Sequence, residues 1–449
     1  MSHPKVRFAP SPTGRMHVGN IRTALINFLF AKKNNAEFIL RIDDTDTSRS
    51  TSEFLEGIFE DLKWVGITYS KTFHQSHHFD RYDFIKGKLI EKGFLYACYE
   101  TSEELEAKRK ILLVRGLPPV YDRAHHNLSA EAKEKFENEG RKPHWRFLLP
   151  DRDVHWKDLV RGDFTIHTST MSDPIVVRED GTYLYTLPSV IDDVDEGITH
   201  IFRGEDHIYN TAAQIPIFEA VAEVLTKPLQ IEFGHMSFFT GPKGEALSKR
   251  LGSISIQDLK EQGIEPLTIL SYLRYLGTPL NVHLAYDMDE LLQDFDMKHF
   301  GGNPPKFDPE TLQHLNQKWI SHAPYSWLIQ EHIKIKFSKQ AWDLIRFNLQ
   351  NRQEIAPWNH IFDDTFVGKK ITDISFYAIC LETLPEKWDE DTWDLWTQAI
   401  KTRTERKGKE LFMPLRQALT GFDHGPDMKS LLPLLKREWV VSRLSTCLK

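Results

Sequence analysis

The sequence predicts an α/β fold: a parallel sheet interrupted by an α+β insertion, then two mostly helical domains. Three observations point there. A strand, loop, helix, strand unit opens the chain. A charged stretch with its own short strands separates that unit from a second run of alternating helix and strand. The segment after about His322 is helical, Trp-rich and charged, with no internal repeat.

Taken in order, Lys5-Val6-Arg7-Phe8-Ala9 alternates as a strand does, and Pro10, Pro12 and Gly14 break the chain behind it. Val18, Ile21, Leu25, Phe28 and Leu29 then recur at helical spacing, which predicts an amphipathic helix from about His17 to Lys33. Phe38-Ile39-Leu40-Arg41-Ile42 reads as a second buried strand, ending in Asp43-Asp44-Thr45-Asp46. A unit of this length is a parallel βαβ element, whose ligand site belongs at the carboxyl ends of its strands. Between about Tyr99 and Tyr185, charged helices (Glu103 to Lys110, Ala130 to Glu139) flank Pro118-Pro119 and lead into Trp145-Arg146-Phe147-Leu148, an inserted α+β domain. Alternation returns from Leu187 to Gly234, with Thr199 to Arg203 as a strand running into Gly204-Glu205-Asp206. Beyond Lys249-Arg250 the chain reads as mostly helical, broken near Gly301-Gly302-Asn303-Pro304-Pro305.

Composition narrows the functional classes. At ~100–200 residues per domain, 449 residues make about three domains. Apolar runs such as Phe28-Leu29-Phe30-Ala31 fall far short of the ~20 residues a bilayer span needs. No apolar signal core follows Met1-Ser2-His3-Pro4-Lys5, so the expected address is cytoplasmic, with no membrane partner. Only Cys98, Cys380 and Cys447 occur, too far apart in sequence for a zinc ribbon or a disulfide framework. The net charge of −7 argues against non-specific coating of nucleic acid and leaves room for a local basic surface.

Two motifs carry chemistry. Ala9-Pro10-Ser11-Pro12-Thr13-Gly14 precedes His17-Val18-Gly19-Asn20 at a helix start, where free N–H groups and the helix dipole suit phosphate. His17 can donate to phosphoryl oxygens, and Gly19 lets a nucleotide approach the backbone. A lone His and Gly there are more often a helix cap and a packing glycine. The second motif, Ala246-Leu247-Ser248-Lys249-Arg250, follows the turn Thr240-Gly241-Pro242-Lys243-Gly244. It could present Lys249 to a departing pyrophosphate, although Ser-Lys-Arg alone is usually a solvated loop. Phe79-Asp80-Arg81-Tyr82 and Trp145-Arg146-Phe147 interleave aromatics with arginine as RNA-stacking platforms do, but core and rim is the commoner reading. Lys401, Arg403, Arg406, Lys407 and Lys409 form a basic run suited to phosphate contact, with a solvated charge run as the alternative.

The tract Arg7 to Ala31, with Pro-Ser-Pro-Thr-Gly, His-Val-Gly and Arg22-Thr23-Ala24-Leu25, is similar to the HIGH region of bacterial glutamyl-tRNA synthetases. Residues 246–250 resemble that family's KMSKS-type loop. The likeness continues through Arg41 to Asp46, Phe202 to Asp206, Gly234-His235-Met236, Phe307-Asp308-Pro309, and Phe412 to Arg416 with Ala418 to Gly421.

The resemblance implies a class I enzyme that joins L-glutamate to tRNA(Glu) through glutamyl-adenylate, using ATP with its Mg²⁺ and no zinc, as a monomer. It implies a Rossmann-type catalytic domain (1–98 and 186–240), an inserted acceptor-end-binding domain (99–185), a stem-contact domain with the KMSKS-like loop (241–321) and an all-α anticodon-binding domain (322–449). It makes His17 and Lys249 catalytic, and assigns ATP to His17, Gly19, Asn20, His235, Met236, Ser248, Lys249 and Arg250. Glutamate falls to Arg7, Ser11, Asp43, Tyr185, Ser189 and Arg203, and tRNA to Lys407, Lys409 and Arg416. For Arg203 the alternative is a plain ion pair with Glu205 or Asp206.

Four features depart from the family pattern. Ala246 replaces the first lysine of the loop, Ser189 stands where Asn is frequent, and Asp43 replaces a Glu, leaving a gap of one methylene for a water to bridge. The fragment around Cys98 lacks the other cysteines of the family's zinc-bearing members, which is why no zinc is expected. The rival readings are an enzyme that also or instead charges tRNA(Gln), feeding an amidotransferase, and a catalytically silent tRNA-binding paralogue motivated by Ala246.

Overall fold

Lys5–Phe8 forms strand β1 of the computed structural model, which describes residues 3–245, 254–330, 334–366 and 373–448. The chain leaves β1 through Ala9 to His17 and enters helix α1 (Val18–Asn34). Burial covers α1 on most sides, from Val18 and Ile21 through Leu25, Phe28 and Leu29. Each such apolar side chain contributes about 1.5–3 kcal/mol, which outweighs the weak intrinsic stability of one helix. Asn35 ends the helix in the left-handed region at φ 49°, returning its N–H to the Ala31 carbonyl. Strand β2 (Glu37–Ile42) follows, parallel to β1, with Val6 beside Phe38 and Phe8 beside Leu40. Helix α2 (Ser52–Trp64) crosses to β3 (Lys71–His74), parallel to β2.

After helix α3 (Phe79–Glu91) come β4 (Leu95–Cys98), helices α4 (Ser102–Val114) and α5 (Ala130–Asn138), β5 (His144–Phe147), β6 (Asp153–Asp158), β7 (Gly162–His167) and β8 (Ile175–Val177). Then α6 (Thr186–Glu196), β9 (His200–Gly204), α7 (Ile208–Leu225) and β10 (Glu232–Met236) complete the first region. The large sheet has seven strands in the order β3-β2-β1-β9-β10-β6-β7, parallel except for β7. From β1 the chain builds outward on one side through β2 and β3, and on the other side through β9 and β10. The crevice at the carboxyl ends of β1 and β9 is therefore a topological switch point, where ligands of such sheets bind.

The insertion differs from the expected 99–185 at its edges. Its small antiparallel sheet, β4-β5-β8, begins at Leu95, one strand before Tyr99. The β6–β7 hairpin lies within those limits but joins the large sheet, with Asp158 beside Phe233 of β10. Val154, Trp156 and Asp158 are buried at every second position of β6, the alternation of a strand with one face against the core and the other toward solvent.

The described chain divides into two compact units, Met1–Asp258 with Leu270–Asp308, and Leu259–Ile269 with Pro309–Lys449. The span 241–321 is thus shared rather than self-contained. Residues 270–308 are tied to the first unit by Arg22 Nη2 on the Leu276 carbonyl (2.9 Å) and by the Phe307 N–H on the Thr240 carbonyl (2.8 Å). In the second unit, Arg352 holds buried Glu265 through two nitrogens (2.7 and 2.6 Å), and Asn316 Oδ1 accepts from the Glu265 N–H at 2.8 Å. Between Gly277 and Asp308 only short 3₁₀ turns occur, not the expected helix, because Gly277, Pro279, Gly301, Gly302, Pro304 and Pro305 interrupt any helical run.

The second unit is helical throughout its described residues, packed around the fully buried Trp319, Trp342 and Trp396. Buried Arg443 donates to the Leu419 (2.8 Å), Ile361 and Asp363 carbonyls, closing helix ends that would otherwise be bare. Among the described residues no helix is long and apolar enough to cross a membrane.

Candidate active site

The start of α1 explains the first motif. His17 is the N-cap: its Nδ1 accepts from the Gly19 N–H (3.1 Å) and the Asn20 N–H (3.4 Å), and Asn20 Oδ1 accepts from the His17 N–H (3.0 Å). An Nδ1 that accepts leaves the imidazole proton on Nε2, so His17 presents a donor. Burial lowers its pKa, which keeps the ring neutral. A Cβ at position 19 would sit 2.9 Å from His17 Cε1, so Gly19 makes room for the imidazole in addition to lining the cavity. The capping and catalytic readings of His17 describe two nitrogens of one ring.

A cavity of about 570 Å³ opens at the switch point. It is lined by Arg7, Ser11, His17, Gly19, Asn20, Asp43, Tyr185, Arg203 and Met236, which brings together most of the expected residues. Arg7, near the end of β1, gives its Nε to both oxygens of Asp193 (3.1 and 3.3 Å) on α6. Arg41 of β2 also donates to Asp193 (2.8 Å) and grips Asp43 through two nitrogens (2.6 and 3.3 Å). Burial raises the Asp43 pKa to about 6, against the opposing pull of Arg41. Arg203, near the end of β9, is treated differently. Its Nη1 donates to the Tyr185 hydroxyl (3.1 Å), its Nη2 to Thr211 Oγ1 (2.6 Å) and its Nε to His235 Nε2 (3.3 Å). Glu205, one candidate partner, pairs with Arg161 instead, and Asp206 faces His207 at 3.5 Å. Among the described residues no carboxylate lies within ion-pair distance of Arg203, and burial lowers its pKa.

Two of the expected ligand residues do not line the cavity. His235 is fully buried behind the cavity, between Asp158 and Arg203, and does not line it. Ser189 is buried one turn along α6 from Tyr185 and is absent from the lining. Its carbonyl accepts from Arg41 (3.2 Å), and its hydroxyl is sealed from solvent without a partner among the described residues. Ala246, Ser248, Lys249 and Arg250 lie outside the described residues.

The lining also includes residues that sequence reasoning passed over. Arg22 donates to the Ser237 and Leu276 carbonyls (2.8 and 2.9 Å), stacks on Phe239 at 4.9 Å, and is pushed down to about 10 by burial. His207 is lowered to about 4, by burial first and then by the Arg203 charge. A charged residue on the apolar face of α1, and a histidine directly after Gly204-Glu205-Asp206, were the available signals.

The catalytic domain of the class I tRNA synthetases for E and Q matches residues 4–314, and an anticodon binding domain matches residues 293–448. A protein of Maricaulis maris named glutamate–tRNA ligase 1 is 46% identical, the match covering 98% of this chain and 99% of that protein. A glutamate–tRNA ligase 2 of Hyphomonas neptunium is also 46% identical, over 99% of this chain and 100% of its own. The chain belongs to the class I glutamate–tRNA ligase family. The crystal structure of a glutamate tRNA ligase from Elizabethkingia meningosepticum in complex with its amino acid superposes with a TM-score of 0.81 at 25% identity, covering 100% of this chain and 99% of that one.

In the second unit of this ligase the basic run divides. Arg403 pairs with Glu382 (2.7 Å), and Arg406 pairs with Asp373 while stacking on Phe376 at 4.4 Å, so both are structural. Lys407 and Lys409 are exposed, with no ion pair among the described residues. Arg416 is half-buried: it gives Nη2 to the Pro426 carbonyl (2.9 Å), bracing a turn, and its Nη1 is shut from solvent. Of the aromatic–arginine clusters, Tyr82 is core, with its hydroxyl on Asp192 (2.9 Å), and Arg81 pairs with Asp195 (2.7 Å).

Proposed function

We propose that the protein activates L-glutamate with ATP and transfers the glutamyl group to the terminal adenosine of tRNA(Glu). The observation that carries this reading is Arg203, a buried guanidinium on the cavity wall whose acceptors among the described residues are all neutral. A cation left unneutralised in a low-dielectric wall favours an anion in the cavity, and a carboxylate matches its fork. Arg7, the Tyr185 hydroxyl and Asp43 border the same space, so an amino acid with a second carboxylate finds acidic and basic partners there.

In the first step a substrate carboxylate oxygen attacks the α-phosphorus of ATP in line. The new O–P bond forms as the bond to pyrophosphate breaks, and charge builds on the phosphoryl oxygens. The His17 Nε2–H and the positive end of α1 stabilise that charge. In the second step a ribose hydroxyl of the terminal adenosine attacks the activated carbonyl carbon, and AMP leaves. Neither step needs a protein nucleophile; positioning supplies most of the acceleration. Mg²⁺ travels with ATP. Lys249 is the cation for pyrophosphate. The small-sheet region serves the acceptor end of tRNA, and the helical unit serves the anticodon, with Lys407 and Lys409 on phosphates. The enzyme acts as a cytoplasmic monomer.

Aminoacylation with radiolabelled glutamate on purified tRNA(Glu) and tRNA(Gln) tests this reading. ATP-dependent charging of tRNA(Glu) is expected. Charging of tRNA(Gln) alone would move the protein to the indirect route through an amidotransferase. Intact tRNA binding with no charging would overturn the catalytic reading.

A further inference from the structure

Behind Arg203, on the side away from the cavity, lies a closed chain of polar groups. Arg203 Nε–H donates to His235 Nε2 (3.3 Å), which also lies 2.9 Å from Thr211 Oγ1, itself an acceptor for Arg203 Nη2, and His235 Nδ1 meets Asp158 Oδ2 at 2.6 Å. The side chains of His235 and Asp158 are wholly inaccessible to solvent. An Nε2 that accepts from a guanidinium cannot carry a proton, so the imidazole proton sits on Nδ1 and is donated to Asp158. The other Asp158 oxygen is already committed: Oδ1 accepts the backbone N–H groups of Val160 (3.0 Å), Arg161 (3.0 Å) and His235 (3.1 Å). One carboxylate thereby pins a turn, sets a tautomer and aims an acceptor at Arg203.

We propose that Asp158 and His235 form a buried positioning relay that holds Arg203 through a neutral acceptor, leaving its charge directed at a substrate carboxylate and so setting the affinity for glutamate. The proposal rests on the reading of Arg203 given above. An aspartate in direct contact would neutralise the guanidinium. One imidazole removed, the same carboxylate orients it and leaves the cation to the ligand.

The arrangement makes Asp158→Asn unusually informative. Three N–H groups converge on Oδ1, so the amide oxygen of an asparagine must take that place and its NH₂ must face His235 Nδ1. The imidazole is then driven to the Nε2–H tautomer, which faces Thr211 Oγ1 at 2.9 Å and no longer accepts the Arg203 Nε–H, with almost no change in shape. His235→Phe removes the acceptor by a different route and serves where Asp158→Asn does not fold. Steady-state aminoacylation by the full chain is compared for both variants and for Arg203→Ala. The expected result for both relay variants is a rise in KM for glutamate of about ten- to hundredfold, the effect of losing a hydrogen bond to a charged group, with kcat and KM for ATP within about twofold. If Arg203→Ala raises KM for glutamate and the relay variants do not, or if they depress kcat and both KM values alike, the relay is overturned. If Arg203→Ala itself leaves KM for glutamate unchanged, the reading of Arg203 fails instead.

Discussion

Arg41 and Arg203 each occupy the last position but one of a strand in the same sheet, and both are buried. Their surroundings are opposite. Arg41 is enclosed by carboxylates, with Asp43 at 2.6 Å, Asp193 at 2.8 Å and Asp192 at 4.0 Å, and its pKa is driven well above the usual arginine value. Arg203 has a phenol, a hydroxyl and an imidazole, and its pKa is lowered by burial. The same residue type at the same strand position is thus a structural ion in one place and a receptor in the other. What separates the roles is whether the protein supplies the counter-charge. A neutralised guanidinium braces β2 against α6; an unneutralised one is completed by ligand.

Substitutions break or sharpen that contrast. The largest effect is expected just outside it: His17→Ala removes a donor aimed at developing charge and should lower kcat by about 10²–10³-fold, measured by aminoacylation. A loss below fivefold would return His17 to a simple cap. Next, Arg203→Ala should cost about 100-fold in kcat/KM for glutamate, carried mainly by KM. Arg41→Met should behave in reverse. It strands buried carboxylates, so it should lower stability by about 3–5 kcal/mol, seen as a shift in denaturation midpoint. Arg203→Met should change stability by no more than about 1 kcal/mol, because it strands no charge. Equal stability losses for the two methionine variants would erase the distinction.

The smallest effect concerns Asp43. Its pKa is raised to about 6, so the carboxylate is ionised above that pH and protonated below it. A protonated Asp43 cannot balance a substrate ammonium, so KM for glutamate should rise as pH falls through about 6, with a slope approaching tenfold per pH unit. Asp43→Asn should flatten that limb of the profile. A limb that survives the substitution belongs to another group.

Much of this site was legible because it is local. The proline- and glycine-punctuated turn after β1, the helical spacing from Val18 to Leu29 and the polar ends of β2 and β9 all lie within a few residues of the chemistry they serve. The sequence leaves Gly19 either as an opening for nucleotide or as a packing glycine, and the structure sets it against the ring of His17 while it also lines the cavity. His235 and Ser189 were placed in contact with ligand because they stand in motifs that line the site. Sequence proximity does not say which face of a strand or helix a side chain takes. The β6–β7 hairpin was assigned to the insertion by its position in the chain, although its alternating burial belongs to the large sheet.

By itself, then, the sequence determined what depends on neighbours along the chain: the parallel βαβ opening, the capped helix start, the charged cavity-forming motifs and the helical, Trp-rich second unit. Only tertiary structure decided which arginine keeps a free charge. That depends on the separation of Asp193 from Arg7 and Arg41, and of Asp158 from His235, across 77 to 186 positions of chain. Electrostatic compensation acts over a few ångströms of space, and no local pattern encodes which distant carboxylate will arrive there.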